Sequence, residues 1–344
     1  MQAVLLAAGK STRAYPLTLT IPKPLLKVAN KTLLEHNLKS LAGLVDEVII
    51  IVGYKKGLIQ KKFGNKYQSI RIKYITQKQQ LGTAHALYLA KDRIKGKFIL
   101  MMGDDIYSKI DIAKCLKYVY SILVQKVKNP EIFGVIKHKN NILIDFVEKP
   151  KFFVSNLANT ALYVLDKKIF PCIEKTKKSE RGEIEMPDAV KLLSKENKIH
   201  CVKAARWIPI GYPWDIKNAD SILRKHKNII GKGTKIYGSV KNSSIGDNCG
   251  IYGKVKNSVI MDNTLISKNS IVENSVIGSN VKFDGITLSG KNTISEVNGI
   301  KIKIKNFGAV IADNSILENV AINPGCKVWP GMKKSGARIS KDLK

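Results

Sequence analysis

Hydrophobic and polar positions follow one rhythm up to about residue 228 and a different one beyond it. In the first part, Ala3-Val4-Leu5-Leu6, Glu47-Val48-Ile49-Ile50-Ile51-Val52 and Lys97-Phe98-Ile99-Leu100-Met101-Met102 are short apolar runs, each followed by glycine or turn residues. Helix-length stretches separate them, among them Leu33 to Leu44 and Thr83 to Ile94. A strand that is apolar on both sides is buried on both faces. The alternation therefore predicts an α/β domain built on a Rossmann-like, mostly parallel sheet with helices on both faces. Ligands of such sheets sit beyond the carboxyl ends of the strands. The loops after Leu6, Val52 and Met102 are where chemistry is expected.

After residue 229 the period becomes six. Asn257-Ser258-Val259-Ile260, Asn263-Thr264-Leu265-Ile266 and Asn269-Ser270-Ile271-Val272 follow one another at six-residue steps. Asn274-Ser275-Val276-Ile277 comes one residue early, and Ile245-Gly246 and Ile251 keep the beat upstream. One inward aliphatic residue per hexad builds the triangular coil of a parallel β-helix, in which each rung buries the next. Two domains are expected, residues 1–228 and 229–344, with the change between Lys227 and Gly231.

Composition narrows the setting. The chain has 344 residues, 44% of them hydrophobic, enough for two ordinary cores. No run approaches the ~20 apolar residues of a membrane-spanning helix. Met1-Gln2-Ala3 leads straight into Val4-Leu5-Leu6, without the basic region and cleavage site of a secreted precursor. Cys115, Cys172, Cys201, Cys249 and Cys326 are scattered and never spaced as C-x-x-C, which reads as reduced thiols in a cytoplasmic protein. The 59 Lys and Arg against 27 Asp and Glu raise the question of a nucleic-acid partner. The lysines are spread over nearly the whole chain, with no basic helix and no aromatic-basic pattern. They read as a solvated surface whose field attracts polyanionic small substrates, with neither nucleic acid nor membrane as partner.

The densest chemistry lies in residues 7–24, Ala-Ala-Gly-Lys-Ser-Thr-Arg-Ala-Tyr-Pro-Leu-Thr-Leu-Thr-Ile-Pro-Lys-Pro. Gly9 follows a predicted buried strand and lets backbone N–H groups approach a phosphate closely. Arg13 and Lys23 add cationic donors, and Pro16, Pro22 and Pro24 stiffen the segment that carries them. The segment closely resembles the G-x-G-T-R-x-x-P-L-T-x-x-x-P-K-P signature of the sugar nucleotidylyltransferases, and the likeness extends along the whole chain. It is most similar to the archaeal long form, of the glucose-1-phosphate thymidylyltransferase or UDP-N-acetylglucosamine pyrophosphorylase type, whose tail is a left-handed parallel β-helix. The resemblance implies that Ala8, Gly9, Ser11 and Thr12 bind the nucleotide, that Arg13 contacts the triphosphate, and that Lys23 steadies charge on the reacting phosphorus. Ser11 departs from the signature, which has glycine there.

Further motifs follow in family order. Gln77-Lys78-Gln79-Gln80-Leu81-Gly82-Thr83-Ala84 matches the base-reading segment. An amide side chain offers both a donor and an acceptor, which suits the edge of a pyrimidine. The resemblance implies that Gln77 reads the base, that Gly82 admits it against the backbone with Thr83 nearby, and that uracil or thymine is favoured over guanine. Gln79 and Gln80 are read as loop surface. Gly103-Asp104-Asp105 ends an apolar strand; Asp104 matches the magnesium-binding aspartate, and Asp105 is read as a turn residue. Glu148-Lys149-Pro150 matches the E-K-P element, implying that Glu148 binds sugar hydroxyls and Lys149 the sugar phosphate. Asn159-Thr160-Ala161 resembles the N-[AT]-G sugar contact, with alanine for glycine. In Trp207-Ile208-Pro209-Ile210-Gly211 the family's second metal-binding aspartate is replaced by Pro209. Either Asp104 and the phosphates hold Mg2+ alone, or a neighbour such as Asp215 substitutes.

The implied reaction joins a nucleoside triphosphate (UTP or dTTP) to a hexose or hexosamine 1-phosphate, with release of pyrophosphate. The sugar phosphate is ionised at neutral pH and needs positioning more than deprotonation. Two alternatives stand beside it. One is a mannose-1-phosphate guanylyltransferase. The other is a non-catalytic regulatory homologue of the same architecture, which predicts decay of the phosphate-handling residues and has Pro209 as its support. In some relatives a β-helix acetylates an amino sugar phosphate with a histidine as base. His36, His85, His138, His200 and His226 all precede the hexads, so homo-oligomerisation, as a trimer, is the expected role of this one.

Overall fold

The computed structural model describes all 344 residues. Its first element, β1 (Gln2–Ala7), is the buried strand expected from Ala3 to Leu6. It lies between β2 (Glu47–Val52) and β5 (Phe98–Met102), parallel to both, in unbroken register from Gln2↔Glu47 to Ala7↔Val52 and from Gln2↔Phe98 to Leu6↔Met102. Outside β2 come β4 (Ile70–Thr76), again parallel, and the short antiparallel β3 (Lys66–Tyr67). Four parallel strands in common register end together, so Ala8, Gly53, Gln77 and Gly103 leave the sheet at one edge.

Beyond β5 the sheet becomes mixed. β6 (Ser121–Lys126), β7 (Gly134–Lys139), β8 (Ile142–Glu148), β9 (Leu157–Leu165) and β10 (His200–Lys203) complete ten strands in the order β7-β8-β10-β6-β9-β5-β1-β2-β4-β3. β9 runs antiparallel to β5 and β6, while β10 runs parallel to β6. Antiparallel pairing enters where the connections are tight. β7 and β8 are joined through Asn140-Asn141, both at positive φ, a primed turn that returns the chain on itself and leaves no room for a crossover helix.

Seven helices accompany the strands: α1 (Leu33–Leu41), α2 (Lys56–Phe63), α3 (Thr83–Tyr88), α4 (Lys109–Cys115), α5 (Ile169–Glu174), α6 (Met186–Ser194) and α7 (Pro213–Arg224). Val4, Leu6, Ile49, Ile51 and Leu100 form one face of the sheet and pack with Ala84 and Leu87 of α3, Phe170 of α5 and Val190 of α6. α1 and α3 are shorter than their apolar spacing suggested. Gly43, at φ +77°, stops the helical path after α1, and α3 gives way to a 3-10 turn at Lys91–Arg93.

From Ile229 most strands are two or three residues long, with Lys282–Thr287 and Ile316–Ile322 longer, and they stack in parallel as a β-helix. Val259–Ile260 sits on Ser244–Ile245 and carries Val276–Ile277, which carries Val310–Ile311 and then Lys327–Val328. Ile245, Ile260, Ile277, Ile311 and Val328 fill the coil with Ile251, Ile266, Val272, Phe283 and Leu317. The Asn-[Ser/Thr] pairs of the hexads have separate tasks. Asn248, Asn257, Asn263, Asn274, Asn280 and Asn314 occupy left-handed corners with φ between +48° and +63°, a conformation that asparagine tolerates better than other non-glycine residues. Ser258, Thr264, Ser270 and Ser275 are buried and donate to backbone carbonyls, as Thr264 does to Gly278 at 2.9 Å and Ser270 to Phe283 at 3.1 Å.

One feature of this region lies outside the hexad pattern. A hairpin of Gly290–Val297 and Ile300–Phe307, turned by Asn298-Gly299 at positive φ, is inserted between two rungs. All five cysteines are unpaired. No helix is long and apolar enough to cross a membrane. The chain clusters into two compact units, Met1–Gly9 with Leu34–Pro209 and Lys10–Leu33 with Ile210–Lys344. The phosphate-loop segment therefore shares a unit with the β-helix.

Candidate functional site

In the sheet-bearing unit the loops after β1, β2 and β4 pack together, as their position at the carboxyl ends requires. Ala8 O accepts hydrogen bonds from Tyr54 N at 3.0 Å and Gln80 Nε2 at 2.9 Å. A side chain at Gly53 would meet Ala8 O at 2.7 Å, so glycine is what lets the two loops touch. Gln80, read from the sequence as loop surface, thus holds the residue that opens the phosphate loop. Gly9 is exposed.

Gln77 leaves β4 buried, and its amide is engaged within its own loop. Nε2 donates to Gly82 O at 3.2 Å and lies 3.1 Å from His85 Nδ1. Burial depresses the His85 pKa, favouring a neutral ring beside that amide. Gly82, at φ +104°, has the backbone of Ile184 where a Cβ would stand, 2.4 Å from its carbonyl oxygen. Thr83 Oγ1 accepts from Met186 N at 3.0 Å and Ala84 N donates to Ile184 O at 2.9 Å. Gly82 and Thr83 therefore tie the base-reading segment to residues 184–186 at the start of α6.

Those residues border a cleft of about 390 Å³ lined by Phe146, Glu148, Lys149, Arg181, Glu185 and Asp188, among others. Glu148 ends β8 opposite Gly134, where a Cβ would stand 2.7 Å from Glu148 Oε2. Lys149 is exposed at φ +41° and donates its N–H to Phe133 O. Arg181 lies 2.8 Å from Glu185 and 3.9 Å from Glu148. Burial raises the Glu185 pKa, Arg181 opposes it, and the neighbouring Glu183 and Glu148 carboxylates add to it. Asn159 donates to Tyr163 Oη at 2.7 Å, while its Oδ1 receives Ala161 N at 2.9 Å. Ala161 stands at φ +57°, the left-handed conformation that makes glycine usual at this position of the motif. Burial pushes the Tyr163 hydroxyl far above its ordinary pKa, and the Glu148 and Glu185 charges push it further. The structure therefore groups Glu148, Lys149 and Asn159 with Arg181, Glu185 and Tyr163. These three had no motif of their own; the only signal was Glu185 just ahead of a proline-led helix.

Asp104 follows β5 and is half-buried. Asp105 is more than a turn residue: its Oδ2 receives the Trp207 indole N–H at 3.0 Å. Trp207–Ile208 pairs antiparallel with Ile106–Tyr107, which brings Pro209 next in line with Asp105. The approach of this strand is fixed by the fully buried Asp111, whose carboxylate accepts from Ala205 N, Arg206 N and Ser108 Oγ at 2.8–2.9 Å. Burial pushes the Asp111 pKa up, but these donors and Lys114 outweigh it and hold the group below the usual carboxylate range. No group of three or more His, Cys, Asp or Glu is assembled to hold a metal. One carboxylate, Asp104, with substrate oxygens and water is nevertheless a donor set that suits magnesium, which keeps several waters.

In the second unit, Ser11 adopts φ +53° and ψ +51°, so it fills a glycine's conformation as well as a glycine's place. Its carbonyl accepts from Ala14 N and Thr18 Oγ1, both at 3.0 Å. The Arg13 guanidinium lies 5.7 Å over the Tyr212 ring, which stacks on Trp214 at 4.8 Å. Thr12 Oγ1 faces Asn298 at the tip of the inserted hairpin, at 3.4 Å. Lys23 is only 5% exposed, at the start of a 3-10 turn, Lys23–Leu25. Asp215, the sequence's alternative metal ligand, caps a helix with one of its oxygens. Its Oδ2 accepts from Gly211 N at 2.9 Å and Tyr212 N at 2.8 Å, capping α7. Burial raises the Asp215 pKa, against those two bonds and the opposing charges of Lys23 and Arg13.

Comparison with known proteins covers the whole of this arrangement. Residues 2–227 match the family described as nucleotidyl transferase. The bifunctional protein GlmU of Methanocaldococcus jannaschii is 43% identical over 236 residues, 68% of this chain and 57% of that protein, so the match spans little more than half of the relative. The bifunctional protein GlmU of Methanococcus vannielii is 34% identical over 388 aligned positions, covering 95% of this chain and 92% of the relative. A solved Bacillus anthracis structure, described as a glucose-1-phosphate thymidylyltransferase in complex with sucrose, superposes with a TM-score of 0.60 at 27% identity, over 66% of this chain and 97% of that one.

Proposed function

The chain belongs to the nucleotidyl transferase family, and from that premise we propose that it joins a nucleoside triphosphate, UTP or dTTP, to a hexose or hexosamine 1-phosphate and releases pyrophosphate. The observation that carries this reading is the segment after β1, which places two cations in fixed settings: Lys23 buried in a proline-bounded turn, and Arg13 laid over Tyr212. A polyanion is the ligand such a pair serves.

In this reading Arg13 binds the triphosphate, with the backbone of Ala8, Gly9, Ser11 and Thr12 cradling it. Lys23 neutralises charge at the α-phosphate. Gln77, Gly82 and Thr83 form the pyrimidine segment; the Gly82 carbonyl fixes the Gln77 amide group. Glu148 and Asn159 bind sugar hydroxyls, and Lys149 holds the sugar phosphate and relieves its repulsion by the triphosphate. An ionised sugar phosphate oxygen forms its bond to the α-phosphorus as the bond to the pyrophosphate oxygen breaks, and no proton changes hands. Magnesium, held through Asp104, supplies charge neutralisation when bound. A homo-oligomer formed through the β-helix, expected as a trimer, belongs to this reading; the exposed, stacked Tyr237 and Tyr252 are apolar surface it could cover, and light scattering tests it.

The deciding experiment measures pyrophosphate release from purified protein with magnesium, each of UTP, dTTP, GTP and CTP, and glucose, glucosamine or mannose 1-phosphate. Release that requires both substrates is expected with UTP or dTTP. Release with GTP and mannose 1-phosphate alone makes the protein a guanylyltransferase. Pro209 beside Asp105 favours a second reading, a regulatory homologue. Silence with every pair, relieved by Pro209→Asp, supports that one.

A further inference from the structure

The hexads carry a second repeat that the hydrophobic pattern does not explain. Ile245-Gly246-Asp247-Asn248, Ile260-Met261-Asp262-Asn263, Ile277-Gly278-Ser279-Asn280 and Ile311-Ala312-Asp313-Asn314 occupy the same corner of successive rungs. Each aspartate there uses one oxygen inside the β-helix. Asp247 Oδ1 accepts from Lys232 N, Asp262 Oδ1 from Asp247 N and Asp313 Oδ1 from Ser279 N, at 2.7–2.8 Å. The glycines before the corner make room for this. A Cβ at Gly231, Gly246 or Gly278 would stand 2.3–2.5 Å from the aspartate oxygen of the next rung.

The second oxygens take partners from the phosphate loop. Lys27 Nζ lies 2.6 Å from Asp262 Oδ2 and 3.5 Å from Asp247 Oδ2, and Thr20 Oγ1 donates to Asp313 Oδ2 at 2.6 Å. Thr20 and Lys27 bracket the Lys23–Leu25 turn on either side. Two more bonds secure the outgoing end: Ala29 N to Asp220 Oδ1 at 2.9 Å, and Asn30 Nδ2 to Ile245 O. Asp220 is itself held by Arg224, 2.9 Å away and equally buried. Lys27 and Asp262 are both mostly shielded from solvent, so their attraction is less screened than that of a surface pair.

We propose that the column of Asp247, Asp262 and Asp313 is a positioning device for the reaction: through Lys27 and Thr20 the β-helix holds the turn that presents Lys23. This rests on the role given to Lys23 above. None of the column's residues touches substrate; Lys27 and the three aspartates act through Lys23. The β-helix then has a task within its own unit, holding the Lys23 turn, besides the oligomer contact proposed for it.

The test uses the full chain with Lys27→Met, Thr20→Val and Lys27→Arg, read by hydrogen exchange of the amides in residues 17–30, by steady-state kinetics and by thermal unfolding. Lys27→Met is expected to speed exchange in that segment at least tenfold and to lower kcat at least tenfold. The KM for the sugar 1-phosphate should stay within twofold and the unfolding midpoint within a few degrees. Thr20→Val should do the same to a smaller extent, and Lys27→Arg should recover most of the loss. Exchange and kcat both within twofold of wild type in Lys27→Met and Thr20→Val overturn the proposal. So does a fall in kcat without faster exchange, which makes Lys27 a direct participant, and so does faster exchange without a fall in kcat. A wild-type protein silent in pyrophosphate release refutes the transferase reading instead; the exchange data alone then decide whether the column holds the loop.

Discussion

Left-handed backbone is used in opposite ways in the two units. In the sheet-bearing unit, Gly82, Lys149 and Ala161 adopt positive φ, each at a different bend and each in or next to a candidate substrate-binding segment. In the β-helix the same conformation recurs at Asn248, Asn257, Asn263, Asn274, Asn280 and Asn314, always at a corner of the coil. A single special residue places one functional group and has no substitute. A repeated one sets a shape, and its neighbours above and below share the load. The first kind should be sensitive to substitution and the second tolerant, because a rung is held by the stacked backbone and aliphatic residues on both sides of it.

Substitutions at four positions probe that contrast. Lys23→Ala, at a position used once, should lower turnover by about two to three orders of magnitude while the far-ultraviolet circular dichroism stays that of wild type. Turnover within a few-fold of wild type removes Lys23 from the chemistry. Gly82→Ala puts a Cβ against the Ile184 carbonyl at positive φ and should cost roughly 2–4 kcal/mol in urea unfolding, with loss of triphosphate binding. An unfolding midpoint equal to wild type would show that residues 184–186 move aside freely.

Asp111→Ala should cost ~2–3 kcal/mol, since it removes the buried carboxylate that accepts from Ala205 N, Arg206 N and Ser108 Oγ. The same carboxylate predicts a pH effect. Its folded pKa lies below the ordinary value of about 4, so its stabilisation is complete above that pH and disappears as pH falls through the folded value. Asp111→Asn should accordingly lose less stability than wild type between pH 7 and pH 3, as followed by denaturant titration at each pH. The smallest effect is expected at a corner: Asn263→Ala should cost about 1 kcal/mol and Asn263→Gly only a few tenths. A loss of several kcal/mol at Asn263 would mean that the Asn248–Asn263–Asn280–Asn314 ladder of side-chain amides carries the coil.

Local pattern made a large part of the molecule legible. The strands at Gln2–Ala7, Glu47–Val52 and Phe98–Met102 and the aliphatic pairs of the hexads fall where alternation and period placed them. Asp104 lies at the carboxyl end of its strand for the same reason. The hairpin at residues 290–307 interrupts the hexad beat and is marked in the sequence only by Asn298-Gly299, a strong turn signal between alternating residues. The Asp-Asn corner went unread because its period is that of a whole rung, not of a hexad.

The sequence by itself determined which segments are strands, helices and rungs, because burial period and turn chemistry are properties of neighbouring residues. It also singles out Arg13, Lys23 and Lys149 as the candidates for handling phosphate. Only the tertiary structure decided the partners of those residues: Arg181 and Glu185 beside Glu148, Trp207 on Asp105, Gln80 on Ala8, and Lys27 on Asp262 across 235 residues of chain. The physical reason is that an ion pair or hydrogen bond acts over a few ångströms of space. Sequence spacing reports that distance only along one helix or strand, and each of these contacts joins elements that the fold alone brings together.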